Sequence, residues 1–191
     1  MQRVWVVGNA GSGKTTAART LAARLAVRHV ELDAIYHQAG WQPLPVEDFR
    51  RLVAERLAAP AWTVDGNYSA VADLVLARAD TVVWLDLPRS AVMRQLGSRT
   101  FRRTVLRTEL WNGNREPLTG WLSRDPEKSI MLWAWRNHST YAERYASLAS
   151  RRNQPDQVVV RLRSRSEVDA FLAGVGPVGQ PDHFAEPVGV D

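Results

Sequence analysis

Gly8-Asn9-Ala10-Gly11-Ser12-Gly13-Lys14-Thr15 satisfies the pattern G-x-x-x-x-G-K-[ST] at every fixed position. Its chemistry is phosphate binding. Glycines let successive backbone N–H groups converge on phosphate oxygens, and a following helix N-terminus adds partial positive charge. Lys14 is a compact cation for the β and γ oxygens, and the Thr15 hydroxyl is a ligand for Mg²⁺. Gly8 through Thr16 form the expected nucleotide-binding set. The chain has 23 Arg and only 2 Lys, so a lysine kept at this position points to a need for a point charge that a guanidinium fork would not meet. The other, Lys128, reads as a solvated helix residue.

Three acids stand at the ends of predicted strands: Asp33, Asp65 and Asp86. The strand ends of a parallel sheet share one edge, and ligands bind outside it. Asp86, following the apolar run Thr81–Leu85, is the first expected holder of Mg²⁺ through water, and Asp65 the second. Asp33 is placed to accept a proton from an acceptor hydroxyl. Arg99, Arg103 and Arg107 recur at i, i+4 and i+8, which puts them on one helix face able to clamp a transferring phosphoryl group. His37 and His138 lack metal-site spacing and read as structural.

The elements that must position these groups follow from periodicity. Arg3–Val7 reads as a buried strand, and Ala18, Leu21, Ala22 and Leu25 mark the apolar face of the helix after Lys14. Further strands are expected at His29–Leu32, Trp62–Val64, Thr81–Leu85 and Val158–Leu162. Helices are expected over about Val46–Ala59, before Asp80, over about Pro126–Ser150 and over Ser166–Leu172. Alternating strands and helices predict a parallel α/β sheet. In the long helix Ile130, Trp133, Ala134, Tyr141, Tyr145 and Leu148 fall near one face, which reads as core. A single domain over 1–173 is expected, followed by a disordered tail over 174–191.

The 191 residues are 45% hydrophobic and 24% charged, with net charge +5 and no cysteine. A chain of this size buries roughly 70% of its unfolded surface and needs no disulfide or metal staple. Disulfide frameworks, thiolate zinc sites and cysteine nucleophiles are excluded. No apolar run approaches the ~20 residues of a membrane helix, so a cytoplasmic location without membrane association is expected.

The phosphate loop, Asp33, the Asp65-Gly66-Asn67-Tyr68 turn, Trp84-Leu85-Asp86-Leu87-Pro88 and the arginine-rich stretch together resemble the adenylate-kinase-like P-loop kinases. Within these, Leu32-Asp33, Gly40-Trp41, Trp62 to Tyr68, Arg78-Ala79-Asp80, Trp84 to Arg89 and Trp133-Ala134-Trp135 resemble the DNA topology modulation (FlaR-type) subgroup, over roughly residues 3–150. Glu109 to Glu116 resembles a lid segment of some members. The resemblance implies a P-loop NTPase α/β/α sandwich with a five-stranded parallel sheet ordered 2-3-1-4-5. It also implies MgATP as donor, an acceptor region over about 34–61, a lid over about 99–127, and a loop at Arg163-Ser164-Arg165 that packs on adenine. True adenylate kinases carry Asp-Gly-Phe-Pro-Arg where this chain has Asp65-Gly66-Asn67-Tyr68-Ser69, so their arginine for the acceptor phosphate is missing. Arg50 and Arg51 are candidate replacements for that charge. Trp41 and Tyr68, with Asp33 and Asp65, are the expected acceptor-binding residues, suited to a nucleoside, nucleotide or another small hydroxyl compound.

The first expectation is therefore an ATP-dependent kinase acting on a small acceptor, with Lys14, Asp33, Arg99 and Arg103 as its catalytic residues. Two rivals use the same loop: an ATP-switched regulatory or nucleic-acid-associated protein, and a polynucleotide 5′-hydroxyl kinase. The first would direct the arginine stretch at a polyanion and show steep salt dependence, and the second would use the same Asp33 base. The chain has no helix-turn-helix signature, zinc finger or basic tail to favour them.

Overall fold

The computed structural model describes residues 1–106, 108–115, 129–150 and 157–176. The expectations for Arg107, for 116–127 of the lid and for the tail beyond 176 lie outside the described residues. Five strands, β1 (Arg3–Gly8), β2 (Arg28–Glu31), β3 (Trp62–Asp65), β4 (Thr81–Leu85) and β5 (Val158–Leu162), form one parallel sheet in the order β2-β3-β1-β4-β5. The helices are α1 (Lys14–Leu25), α2 (Leu32–Tyr36), α3 (Val46–Arg56), α4 (Ala72–Leu76), α5 (Arg89–Val105), α6 (Ile130–Ser150) and α7 (Arg165–Gly174).

The near-continuous apolar strands are explained by burial on both faces. In β1, Val4 and Val6 pack with Leu21 of α1, Leu85 and Phe171 of α7. Trp5 and Val7 turn to the other face and pack with Phe49 of α3, Trp84 and Tyr145 of α6. β4 divides in the same way, Val83 and Leu85 towards α1 and Val82 and Trp84 towards α6. Trp5, Trp62, Trp84 and Tyr145 are among the largest fully buried side chains, and truncating one such ring costs about 3–5 kcal/mol.

Several boundaries differ from the sequence reading for local reasons. Asp33 lies in the first turn of α2 rather than at a strand end, because β2 stops at Glu31. Arg99 and Arg103 belong to the 17-residue helix α5, whose Val92, Leu96 and Thr100 bury its inner face at i, i+4, i+8. The expected tail begins too early at 174. Gly174 ends α7, Val175 is buried, and the Val175 carbonyl accepts from Arg24.

Candidate functional site

The phosphate loop joins β1 to α1 at the sheet's C-terminal edge. Gly11 takes φ 84°, and a Cβ there would come within 2.7 Å of Leu96 Cβ on α5. Gly13, at φ 90°, caps α1 in the left-handed region, where its carbonyl accepts from Ala17. Asn9 fastens the loop from beneath, donating to the Ala134 carbonyl of α6 at 2.8 Å while its Oδ1 accepts from Ala10 N–H. Gly8, Asn9 and Ser12 are buried and shape the loop. Ala10, Gly11, Gly13, Lys14, Thr15 and Thr16 line a cleft of about 1440 Å³. That exceeds the ~300–1,000 Å³ of a pocket for one small ligand.

The Asp65-Gly66-Asn67-Tyr68 turn carries more of the site than an ordinary turn would. Asp65, 1% exposed, accepts from the Thr15 hydroxyl at 2.6 Å with Oδ2 and lies 2.7 Å from His29 Nε2 with Oδ1. Asn67 donates to the Gly8 carbonyl at 2.6 Å and accepts from Tyr145 at 2.9 Å. Tyr68 donates to Asp33 Oδ1 at 2.7 Å, with His37 Nε2 at 3.3 Å on the same hydroxyl. Burial and the neighbouring Asp33 carboxylate push the Tyr68 phenol far up, which keeps it a proton donor to that carboxylate.

The pleat explains why Asp65 and not Asp86 reaches Thr15. Thr63 of β3 faces α1, donating to the Ala18 carbonyl, and Asp65 shares that face two residues on. Asp86 has the opposite parity: it follows Trp84 on the α6 face, where Arg161 Nε and Nη2 grip its Oδ2 at 2.9 and 2.6 Å while stacking on the Trp84 ring. Asp86 does not line the cleft. Asp65 is not among the cleft-lining residues either, but the Thr15 hydroxyl, which lines it, donates to Asp65, and that is the pair the fold brings together.

Lys14 feels the charges of Asp33, Asp65, Arg99 and Glu31. Burial pushes its pKa down, and the two aspartates partly offset the shift. Arg99 and Arg103 line the same cleft from α5, and Arg165 approaches it beside Gly13 at the start of α7. Ser164, in the expected adenine loop, caps α7 by accepting from Glu167 N–H. Arg50 and Arg51 do not supply charge to the cleft. Arg50 pairs with Asp73, holding that carboxyl down at about 2, and also donates to the Ala70 carbonyl; Arg51 bridges Asp48 and Glu55.

Among the described residues no three or more acidic, histidine or cysteine side chains converge as a metal cage. The Thr15 hydroxyl and Asp65 carboxylate still form the hard-oxygen donor set that suits Mg²⁺, an ion that keeps most of its ligands as water and substrate phosphates.

The sequence reading left His37 as structural, but it lines the cleft beside Trp41 and Trp111. His138 is tied to the Leu87 carbonyl at 3.1 Å. Trp133 and Tyr141, expected in the core, also line the cleft, whereas Ala134 and Tyr145 of the same helix are buried. His29 and Asn67 were missed because polar residues on a short edge strand and in an Asp-Gly turn carry no periodic signal.

Burial lowers the His37 pKa below its ordinary 6.5, with Asp33 opposing the shift. The native state then binds fewer protons than the unfolded chain below that pH, so this contribution to stability is present above about 6.5 and lost as pH falls. Urea midpoints at pH 7.5 and 5.5 are expected to differ less in His37→Gln than in the parent. An unchanged difference would remove His37 from the account.

No protein-family model matches the chain. Two curated relatives are shikimate kinases: one from Prochlorococcus marinus (strain MIT 9313), 26% identical over 56% of this chain and 64% of its own length, and one from Parasynechococcus marenigrum (strain WH8102), 29% identical over 56% and 63%. The chain thus spans slightly under two thirds of the relatives it matches. The crystal structure of shikimate kinase from Bacteroides thetaiotaomicron superimposes over 90% of this chain and 94% of its own, with TM-score 0.54 and 15% identity. The sheet order, the helices on both sheet faces and the glycine loop between β1 and α1 are those of the P-loop kinase fold, and this chain has that fold.

Proposed function

We propose that this protein is an ATP-dependent kinase that transfers the γ-phosphoryl group of MgATP to a hydroxyl of a small acceptor of the nucleoside or nucleotide class. The observation that carries the reading is the meeting, in one cleft, of a lysine of the phosphate loop with Asp33, whose carboxylate is already hydrogen-bonded by Tyr68. The likeness to shikimate kinases supports a small-molecule acceptor. The sequence motifs from Leu32 to Trp135 add the likeness to adenylate-kinase-like and topology-modulation proteins.

In this reading the loop N–H groups and Lys14 hold the β and γ phosphates, and Arg99 and Arg103 neutralise charge from the α5 side. Thr15 and Asp65 would hold Mg²⁺, which when bound would supply neutralisation of phosphate charge. Asp33 accepts the proton as the acceptor oxygen bonds to phosphorus and the bond to the β–γ bridging oxygen breaks, releasing ADP. Tyr68 fixes one oxygen of that carboxylate and leaves the other for the acceptor.

The test is ADP production from MgATP against nucleosides, nucleoside monophosphates and short oligonucleotides. Stimulation by one small acceptor is expected. No stimulation by any of them, with ATP still bound, would overturn the reading. A second groove favours a nucleic-acid reading: about 670 Å³, lined by Arg94, Arg99, Arg102, Arg103 and Arg165. That reading requires oligonucleotide binding that weakens steeply with salt.

A further inference from the structure

The segments 34–41 and 109–115 are far apart in sequence and are clasped by two asparagines. Asn114, buried, accepts from the Trp41 N–H at 2.9 Å and donates to the Gln38 carbonyl at 2.8 Å. Asn112 donates to the His37 carbonyl, and the Trp41 indole N–H donates to the Arg115 carbonyl at 3.2 Å. Both segments hold non-glycine residues in the left-handed region, Trp41 at φ 60° and Asn112 at φ 55°. Such conformations are costly, more so for a bulky side chain like Trp41, and persist where the surroundings over-determine them.

The clasp does not serve the core. Trp41, Trp111 and His37 belong to none of the three buried clusters, and all three line the cleft half-buried. Their rings contact one another, His37 with Trp111 at 5.9 Å between centroids, nearly parallel, and Trp41 edge-on to both at 5.3 and 6.3 Å. The charge pattern is equally one-sided. The cations that line the cleft come from the phosphate loop, α1, α5 and the start of α7; segments 32–41, 67–70 and 109–111 contribute none. An anionic acceptor would meet Asp33 and Glu109 at this end, where the cation beside Glu109, Arg115, is already ion-paired with it at 3.8 Å and does not line the cleft.

We infer that His37, Trp41 and Trp111, assembled by Asn112 and Asn114, form a seat for the acceptor that takes an uncharged planar heterocycle carrying a hydroxyl group. The inference deepens the proposed kinase reading and rests on it for what happens to the bound molecule. A flat ring lies against the indoles, and its hydroxyl reaches Asp33 and Tyr68. Asn112 and Asn114 are positioning residues, since they touch the backbone that carries the rings and not the acceptor.

The experiment is calorimetric titration of the full chain, saturated with a non-hydrolysable ATP analogue, with adenosine, guanosine, cytidine and uridine, their 5′-monophosphates, and shikimate. At least one nucleoside is expected to bind more tightly than its monophosphate and than shikimate. Trp111→Ala is expected to weaken that nucleoside about 10- to 100-fold, as loss of an aromatic platform does, with Trp111→Phe restoring most of it. Asn114→Ala is expected to raise the KM for the acceptor with little change in the KM for ATP, which a general loss of folding would not produce. Absence of nucleoside binding, tighter binding of an anionic compound, or indifference to Trp111→Ala would overturn the seat. The two readings fail separately. A nucleoside that binds through Trp111 without ADP formation defeats the kinase and keeps the seat; ADP formation from a ringless alcohol, untouched by Trp111→Ala, does the reverse.

Discussion

Lys14→Ala is expected to lower ADP formation at least ~100-fold while leaving the fold intact, the scale of losing one preorganised charge-stabilising group from a closed site. Lys14 begins α1 directly after the left-handed Gly13, and its ammonium sits among Asp33, Asp65, Arg99 and Glu31. Removing it leaves Asp33, at the cleft, and the buried Asp65 without the ammonium that both attract. Lys14→Arg is expected to restore little, since the forked guanidinium needs more room and Arg165 already crowds the loop within 3.2 Å of a Cβ built on Gly13. Steady-state kinetics with MgATP, alongside urea unfolding of each variant, check both halves. Turnover within threefold of the parent would remove Lys14 from the catalytic account.

What the sequence made legible is what repeats or has a fixed spacing. Unbroken apolar runs in Val4-Trp5-Val6-Val7 and Thr81 to Leu85 marked buried strands, and the glycine loop fixed where β1 hands over to α1. The sheet order followed from the family likeness, and the structure has it. Less legible was which way an acid points once its strand has ended. Asp86 ranked ahead of Asp65 in the sequence, yet a single step of pleat parity sends Asp65 to Thr15 and Asp86 to Arg161. Asp80 shows a different limit: it stands in a motif that resembles a family signature, and its Oδ2 accepts from the backbone N–H groups of Gln2 and Arg3, so its work is to hold the start of β1. The aromatic end of the cleft was half legible. Trp41 and Tyr68 were singled out; His37 and Trp111 meet at the cleft from segments far apart in the chain, which no local pattern encodes, and Trp133 and Tyr141, read from helical spacing as core, share one helix and also line the cleft.

Asp33→Asn is expected to reduce turnover with a hydroxyl acceptor by about 10²- to 10⁴-fold, the range for losing a positioned general base, while ATP affinity stays near that of the parent. The local geometry makes this substitution a clean one. The Tyr68 hydroxyl donates to Asp33 Oδ1 at 2.7 Å, and an asparagine can keep that bond with its own Oδ1, so what disappears is the capacity of the second oxygen to take a proton. Tyr68 cannot substitute as the base, because burial and Asp33 push its phenol far above the physiological range. Tyr68→Phe is expected to act more weakly and through KM as well as kcat, since it frees the carboxylate to rotate without removing it. The informative comparison is the ratio of the two effects: Asp33→Asn should fall mainly on kcat, whereas loss of ATP and acceptor binding together would make Asp33 an organiser of the loop's charges around Lys14. The expected kcat-specific loss follows from position: Asp33 is fixed by Tyr68 on the first turn of α2, beside the ring-lined end of the cleft, and in the proposed reading the metal falls to Thr15 and Asp65 rather than to Asp33.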